Sequence, residues 1–236
     1  MHINQNIDHR RESVAAMISP ERKSEFGQFM TPSGIASFMA AMFSEMGSKD
    51  VHLLDAGAGI GSLTVAFVER TAKDRPRSLR SVAWELDPIM REHLTETLDA
   101  CAEIFPGLSA ELVHDDFILS AADGVRYGTI PKFTHAILNP PYKKLKTDSD
   151  HRRAIRKVGI ETTNLYTAFV ALALLMLKDG GELVAIIPRS FCNGTYFKPF
   201  RKMLLGHAGI CQVHVFKARN HAFKSDAVGL HPTPII

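Results

Sequence analysis

Cysteine is scarce: Cys101, Cys192 and Cys211 stand far apart among 236 residues, with no C-x-x-C pair. That excludes a disulfide framework and a structural zinc site, and it predicts buried free thiols in a reducing compartment, the cytoplasm. No run of about 18 apolar residues exists, so nothing reads as a membrane-spanning helix. The opening Met1-His2-Ile3-Asn4-Gln5-Asn6 has no apolar core of a secretion signal. The 11 His residues are scattered without H-E-x-x-H or other paired spacing, and no metal ligand set is expected. Repeats and low-complexity linkers are also missing. Net charge is only +3, too little by itself to imply a nucleic-acid partner.

What the chain does have is alternation. Strands are expected at Val51–Asp55, Val82–Glu85, Ala110–His114, Phe133–Leu138, Leu183–Pro188 and Ile210–Phe216. Helices are expected through Ile35–Met46, closed by Gly47, and through Leu63–Val68, Pro88–Ile104, Leu165–Leu177 and Tyr196–Leu205. Thr31 reads as an N-cap with Pro32 at the first helical position. This order implies an α/β fold with a doubly wound, mostly parallel sheet covered on both faces. Ligands of such sheets lie beyond the carboxyl ends of the strands, and the polar motifs of this chain fall at those ends.

The first such motif is Asp55-Ala56-Gly57-Ala58-Gly59-Ile60-Gly61. Its glycines fall at every second position rather than as G-x-G-x-x-G, which suits close approach of a ligand better than the wrapping of a pyrophosphate. Asp55 is placed to accept from an ammonium, Glu85 from ribose hydroxyls, and Asp116 from an adenine amino group with Phe117 against the ring. Together they describe a nucleoside carrying an amino acid, S-adenosylmethionine; the alternative is a dinucleotide.

The second motif is Asn139-Pro140-Pro141-Tyr142. Two prolines fix φ and remove two donors, leaving the Asn139 side-chain oxygen and the Pro140 carbonyl as acceptors beside an aromatic ring. That corner suits a planar molecule gripped through an amino group. Taken alone, it also describes a strand ending in a proline turn. Directly after it, residues 143–157 hold seven basic side chains, among them Lys143, Lys144, Lys146, Arg152 and Arg153, against Asp148 and Asp150. The positive charge is concentrated where phosphates flanking a bound nucleotide would lie; the alternative is a solvated face.

In this order Gly27-Gln28-Phe29-Met30-Thr31-Pro32, the glycine loop, Glu85, Asp116-Phe117 and Asn139-Pro140-Pro141-Tyr142 resemble the gamma-class N6-adenine DNA methyltransferases of restriction–modification systems. The resemblance runs from about Gly27 to Asp226. It implies a Rossmann-like class I methyltransferase domain over 27–228, preceded by an arm or short helix at 1–26 and followed by an irregular tail at 229–236. It implies that Thr31, Asp55, Ala56, Gly57, Gly59, Gly61, Glu85, Asp116 and Phe117 hold S-adenosylmethionine. Asn139, Pro140, Pro141 and Tyr142 would act on adenine flipped out of DNA, with Phe223 as a second aromatic wall. After Asp226-Ala227-Val228 such a protein continues into an apolar strand and a DNA-recognition region. Here Pro232 and Pro234 make a poor strand, so the last antiparallel strand is expected to be missing or irregular. A separate recognition or restriction subunit is then implied as partner beside DNA. Two other readings remain: a methyltransferase acting on a glutamine amide of release factors, which shares the Asn-Pro-Pro-Tyr corner, and an inactive cofactor-binding remnant.

Overall fold

The computed structural model describes residues 3–19, 30–216 and 234–235. Helix α1 (Ile3–Met17) precedes α2 (Ser33–Ala41). Then follow β1 (Asp50–Ala56), α3 (Ser62–Asp74), β2 (Ser78–Trp84), α4 (Pro88–Ile104), β3 (Ser109–Val113) and α5 (Phe117–Tyr127). The second half comprises β4 (Phe133–Leu138), α6 (Asp150–Lys157), α7 (Leu165–Met176), β5 (Leu177–Ala185) and α8 (Lys198–His207). Two-residue strands β6 (His214–Val215) and β7 (Pro234–Ile235) come last.

The main sheet is parallel throughout, in the order β3-β2-β1-β4-β5. A parallel sheet must be covered on both faces, and this one has an apolar layer on each side. Leu53, Ile137, Val184 and Ile186 pack with Met39, Phe43, Met46 and Phe67 of the α2–α3 side. Leu54, Val82, Trp84, Ala136 and Leu138 pack with Phe117, Phe169, Leu172 and other residues of α5, α7 and α8. Helix α7 is apolar around most of its girth because it lies within that second layer, with Ala168 and Val170 to Ala173 fully buried. The doubly wound architecture expected from the alternation is the one observed.

Register sets what meets at the top of the sheet. Ala56 pairs with Trp84, Trp84 with Val113, Asp55 with Ile137, and Leu138 with Ala185. The residues that follow, Gly57, Glu85 and Asn139, therefore leave the sheet at nearly one level, on either side of the point where the strand order reverses between β1 and β4.

Several boundaries differ from expectation. Helix α2 ends at Ala41 rather than Met46, because other elements take the next amides: Ser44 N–H donates to Glu182 and Met46 N–H to Asp74, each at 3.0 Å. Pro32, not Thr31, is the N-cap of α2. Strand β5 begins at Leu177, its register slipping between Phe133 and His135 to admit the Lys178–Gly181 stretch. The strand expected at Ile210–Phe216 shrinks to β6, which, among the described residues, pairs with β7 alone in a separate antiparallel ladder. Helices α5 and α6 were not foreseen. Of the three free cysteines only Cys101 is buried, whereas Cys192 and Cys211 are exposed. Among the described residues, no helix is long and apolar enough to cross a membrane, and no group of three or more His, Cys, Asp or Glu side chains converges on a metal site.

Gly61, the N-cap of α3, sits at φ 88°, where a Cβ would lie 2.8 Å from both Leu94 Cδ1 and Thr97 Cγ2. Left-handed strain and overpacking each cost about 1–3 kcal/mol. Gly61→Ala is expected to lower unfolding free energy by about 2 kcal/mol or more, measured by urea denaturation.

Candidate active site

Above the carboxyl ends of β1, β2 and β4 lies a cavity of about 300 Å³. Its walls include Met30 and Thr31, the loop Gly57–Ile60, Trp84–Leu86, Asp115–Ile118, Asn139 and Pro141, with His151, Leu165 and Phe169 closing the far side. The fold thus brings together Thr31, Gly57, Gly59, Glu85, Asp116, Phe117, Asn139 and Pro141 of the expected set. Asp55, Ala56, Gly61, Pro140 and Tyr142 stand behind or beside this lining. Phe223 and residues 27–29 lie outside the described residues.

The glycine loop is not an anion nest. Gly57 and Ala58 N–H both donate to the Trp84 carbonyl at 2.9 Å, Gly61 N–H to the Ala58 carbonyl at 2.9 Å, and Gly59 N–H to Glu85 Oε2 at 2.8 Å. A phosphate-binding turn needs such donors pointing outward; these are already engaged. Gly57, Gly59 and Gly61 all have positive φ, at 73°, 59° and 88°, which is why the loop can fold back on the sheet end.

The charge of the cavity points the same way. Glu85 is buried, its Oε2 bound by Gly59 N–H and its Oε1 by Asp87 N–H at 2.7 Å. Burial outweighs these bonds and, helped by the negative charges of Asp87 and Asp55, pushes Glu85 up to about 7. Asp55 is fully buried behind the loop, accepting from Thr64 Oγ1 at 2.7 Å, and burial also pushes it up to about 7. Its Oδ1 is buried with no hydrogen-bond partner. Carboxyls so placed favour a cationic ligand rich in hydroxyl and amino donors and oppose a diphosphate. An amino-acid nucleoside bearing a sulfonium fits that description, and a dinucleotide does not.

At the mouth, Asn139 is tethered on both sides. Its Nδ2 donates to Thr31 Oγ1 at 3.0 Å, and its Oδ1 accepts from the Tyr142 hydroxyl at 3.1 Å. The one Tyr142 hydroxyl proton is shared between Asn139 Oδ1 and the Ile186 carbonyl, 2.9 Å away, and the ring meets Tyr166 edge-on, 6.2 Å between centroids. Thr31, expected to cap a helix, instead holds the amide of a residue 108 positions away.

Asp116 has a more crowded setting than its expected role implied. It caps α5, with Oδ1 accepting from Leu119 N–H at 3.0 Å, while Oδ2 accepts from His151 Nε2 at 2.8 Å. His151 belongs to the basic segment and was passed over in the sequence, where only its position shortly after the proline corner was a signal. Phe169 and Trp84, the single tryptophan, were missed as cavity residues too, since apolar helix and strand positions carry no mark of what they face.

The basic segment is more structured and less free than its composition suggests. Leu145 N–H donates to Thr163 and Lys143 accepts from Leu165 N–H, both at 2.8 Å, so residues 143–145 run against 163–165 with Leu145 buried. Lys143, Lys144 and Lys146 are exposed. Arg152 and Arg156 both pair with Glu161, at 2.7 and 2.9 Å, and Arg153 pairs with Asp150. The Arg153 and Arg156 pairs are exposed, worth little and readily exchanged for another anion, whereas the Arg152 side chain is largely buried.

A family model described as the Eco57I restriction-modification methylase matches residues 83–223. Among curated proteins, the type II methyltransferase M.BsuBI of Bacillus subtilis is 46% identical over 232 residues, covering 96% of this chain and 46% of that protein. The type II methyltransferase M.PstI of Providencia stuartii is 41% identical, covering 96% of this chain and 45% of that protein. The chain thus spans about half the length of the curated relatives it matches. Of solved structures, the type I restriction-modification methyltransferase subunit from Streptococcus thermophilus superposes with TM-score 0.67 at 20% identity, covering 88% of this chain and 44% of that one. A candidate class I S-adenosylmethionine-dependent methyltransferase from Listeria monocytogenes does so with TM-score 0.67 at 16% identity, covering 89% and 60%. The fold is that of the class I methyltransferases.

The Asp116–His151 pair has a pH window. Burial opposes the Asp116 charge, but its bonds from His151 and the α5 amides win and hold it below its ordinary 3.8. The Asp116 bond, ahead of burial and with Asp150 adding attraction, raises His151 above its ordinary 6.5. The Asp116 share of stability is present above 3.8 and lost as pH falls through its lower folded value; the His151 share is present below 6.5 and lost as pH rises through its higher one. His151→Ala is therefore expected to lower the melting temperature most between about pH 4.5 and 6, with the difference from wild type shrinking by about pH 8.5.

Proposed function

This chain belongs to the Eco57I restriction-modification methylase family, and we propose that it transfers a methyl group from S-adenosylmethionine to the exocyclic N6 amine of adenine in DNA. The observation that carries the reading is the Asn139 corner at the mouth of an acid-lined cavity whose glycine-loop amides are already engaged. The first argues for an amine held by acceptors, the second for a cationic nucleoside rather than a diphosphate.

In this reading Glu85 holds the ribose hydroxyls, Asp116 and Phe117 the adenine, and Thr31 with the loop Ala56–Gly61 the amino-acid end. Asp55 shapes that end from behind the loop. Bound there, S-adenosylmethionine supplies an electrophilic methyl on a sulfonium. The remaining work falls to the chain. An exocyclic adenine amine is a poor nucleophile because its lone pair is conjugated with the ring. Asn139 Oδ1 and the Pro140 carbonyl accept its two hydrogens and favour a pyramidal nitrogen with the lone pair directed at the methyl. The rigid prolines keep these acceptors from adapting to another geometry. Thr31 on Nδ2 holds the Asn139 amide in place from the side away from the substrate. Tyr142, edge-on to Tyr166, offers a ring face to a flipped base, and Lys143, Lys144 and Lys146 meet its phosphates. Arg153 joins them by exchanging its present carboxylate, while Arg152, largely buried on Glu161, supports the segment from within.

The competing substrate, a glutamine amide of a release factor, offers the same conjugated nitrogen. Relatives named as type II methyltransferases and the restriction-modification family support DNA instead. A partner carrying recognition or restriction functions belongs to the same proposal.

Replacing Asn139 by Ala should lower methyl transfer from tritiated cofactor to adenine-containing DNA by about 100-fold or more, as for loss of one preorganised electrostatic partner. Cofactor affinity, followed through Trp84 fluorescence, should change by no more than about threefold. Normal turnover by Asn139→Ala, or incorporation only into protein, would overturn the assignment.

A further inference from the structure

We propose that α1 backs the wall of the cofactor cavity and that its Asp8 is a positioning residue for Asn139, acting through Ser33, Pro32 and Thr31. The proposal rests on the methyltransferase reading above and adds to it a part of the chain that reads as a mere arm.

Helix α2 begins without a local cap. Its N-cap is Pro32, which has no side-chain acceptor, and first-turn amides must find partners elsewhere. The partner comes from α1: Asp8 Oδ1 accepts from Ser33 N–H at 3.0 Å, and Oδ2 accepts from the Ser33 hydroxyl. Asp8 is itself steadied by Arg11 Nε at 3.2 Å, and Arg11 is only 5% exposed. Burial opposes the Asp8 charge, but these bonds hold it below the usual carboxylate range.

Between Ser33 and the site stands one rigid residue. Pro32, at φ −60° and ψ 146°, transmits the position of Ser33 to Thr31 with little slack. Thr31 is 4% exposed and accepts from Asn139 Nδ2 at 3.0 Å. The substrate amine needs the Asn139 oxygen at one place, so the position and plane of that carboxamide matter. The Thr31 hydroxyl, able to donate or accept, pins that position and plane only while it is itself held in place. Asp8 holds it.

A second observation shows the same helix standing behind the cavity wall. Ile7 and Val14 of α1, with Ile18 just after it, pack against Ile60, Met90 and Met30, and the latter three residues line the cavity. At its other anchor, Arg10 donates to the His93 carbonyl and to Thr97 Oγ1, each at 3.0 Å, and pairs with Glu96 at 3.1 Å on α4. The two anchors have separable consequences: Arg10 docks the helix, whereas Asp8 also sets Thr31.

The test compares Asp8→Ala, Asp8→Asn and Arg10→Ala in the full chain by three readouts: amide hydrogen exchange at Ser33, S-adenosylhomocysteine affinity from Trp84 fluorescence, and kcat against KM for adenine-containing DNA. Asp8→Ala should speed Ser33 exchange and lower kcat, each about tenfold, the equivalent of about one hydrogen bond. KM for DNA and affinity for the cofactor product should stay within about threefold. Asp8→Asn, which keeps the acceptor, should restore most of both, and Arg10→Ala should leave both near wild type. Thr31→Val, which removes the acceptor oxygen without touching α1, should repeat the kcat loss if Asp8→Ala does not fold. Equal loss in Arg10→Ala, or unchanged kcat in Asp8→Ala or Thr31→Val, sinks the positioning role. A wild-type chain that neither binds S-adenosylhomocysteine nor methylates DNA sinks the functional reading and the catalytic half of this one together, while Ser33 exchange still decides the link from α1 to α2.

Discussion

Parallel register is the constraint on which this molecule depends. Pairing Ala56 with Trp84 and Leu138 with Ala185 brings the loops after β1, β2 and β4 out at one level. Each loop then delivers one kind of chemistry to the same cavity. The first gives a close backbone approach, the second a buried carboxyl, and the third an amide stiffened by two prolines. A slip of one residue in any strand would turn each of these side chains to the opposite face. The apolar layers on both sides of the sheet resist such a slip, because Leu53 and Leu54 face different cores.

Within that frame the cavity selects its ligand by what it leaves unsatisfied. The amides of Gly57, Ala58 and Gly59 are turned inward to the Trp84 carbonyl and to Glu85, so these three offer little to an anion. Its carboxyls are buried to the point that Glu85 and Asp55 rise to about 7. Holding such groups together without a cation or good donors costs free energy, and a ligand that brings both relieves it. In the proposed function the acidic interior serves a cationic nucleoside, and the exposed lysines that follow Tyr142 serve a polyanion.

Much of this was legible along the chain. The alternation of strands and helices, the every-second-residue glycines, Glu85 at a strand end and the Asn139 corner are local patterns, and the fold placed eight of the expected residues on the cavity lining. The misreadings share one cause. Helix α2 stops early because Glu182 and Asp74 take its next amides. The arginines of α6 look free until Glu161, just beyond the counted segment, is seen to pair with two of them. His151 looked idle until the fold set it on Asp116.

The sequence alone determined which chemistry is available, because φ-fixing prolines, permissive glycines and burial-prone strands act over a few residues. Tertiary structure decided which of those groups face one another. Thr31 reaches Asn139 across 108 positions, Asp8 reaches Ser33 across 25, and His151 reaches Asp116 across 35. A hydrogen bond needs its partner within about 3 Å, and nothing in the local pattern says which distant residue the packing of two helices on a sheet will bring there.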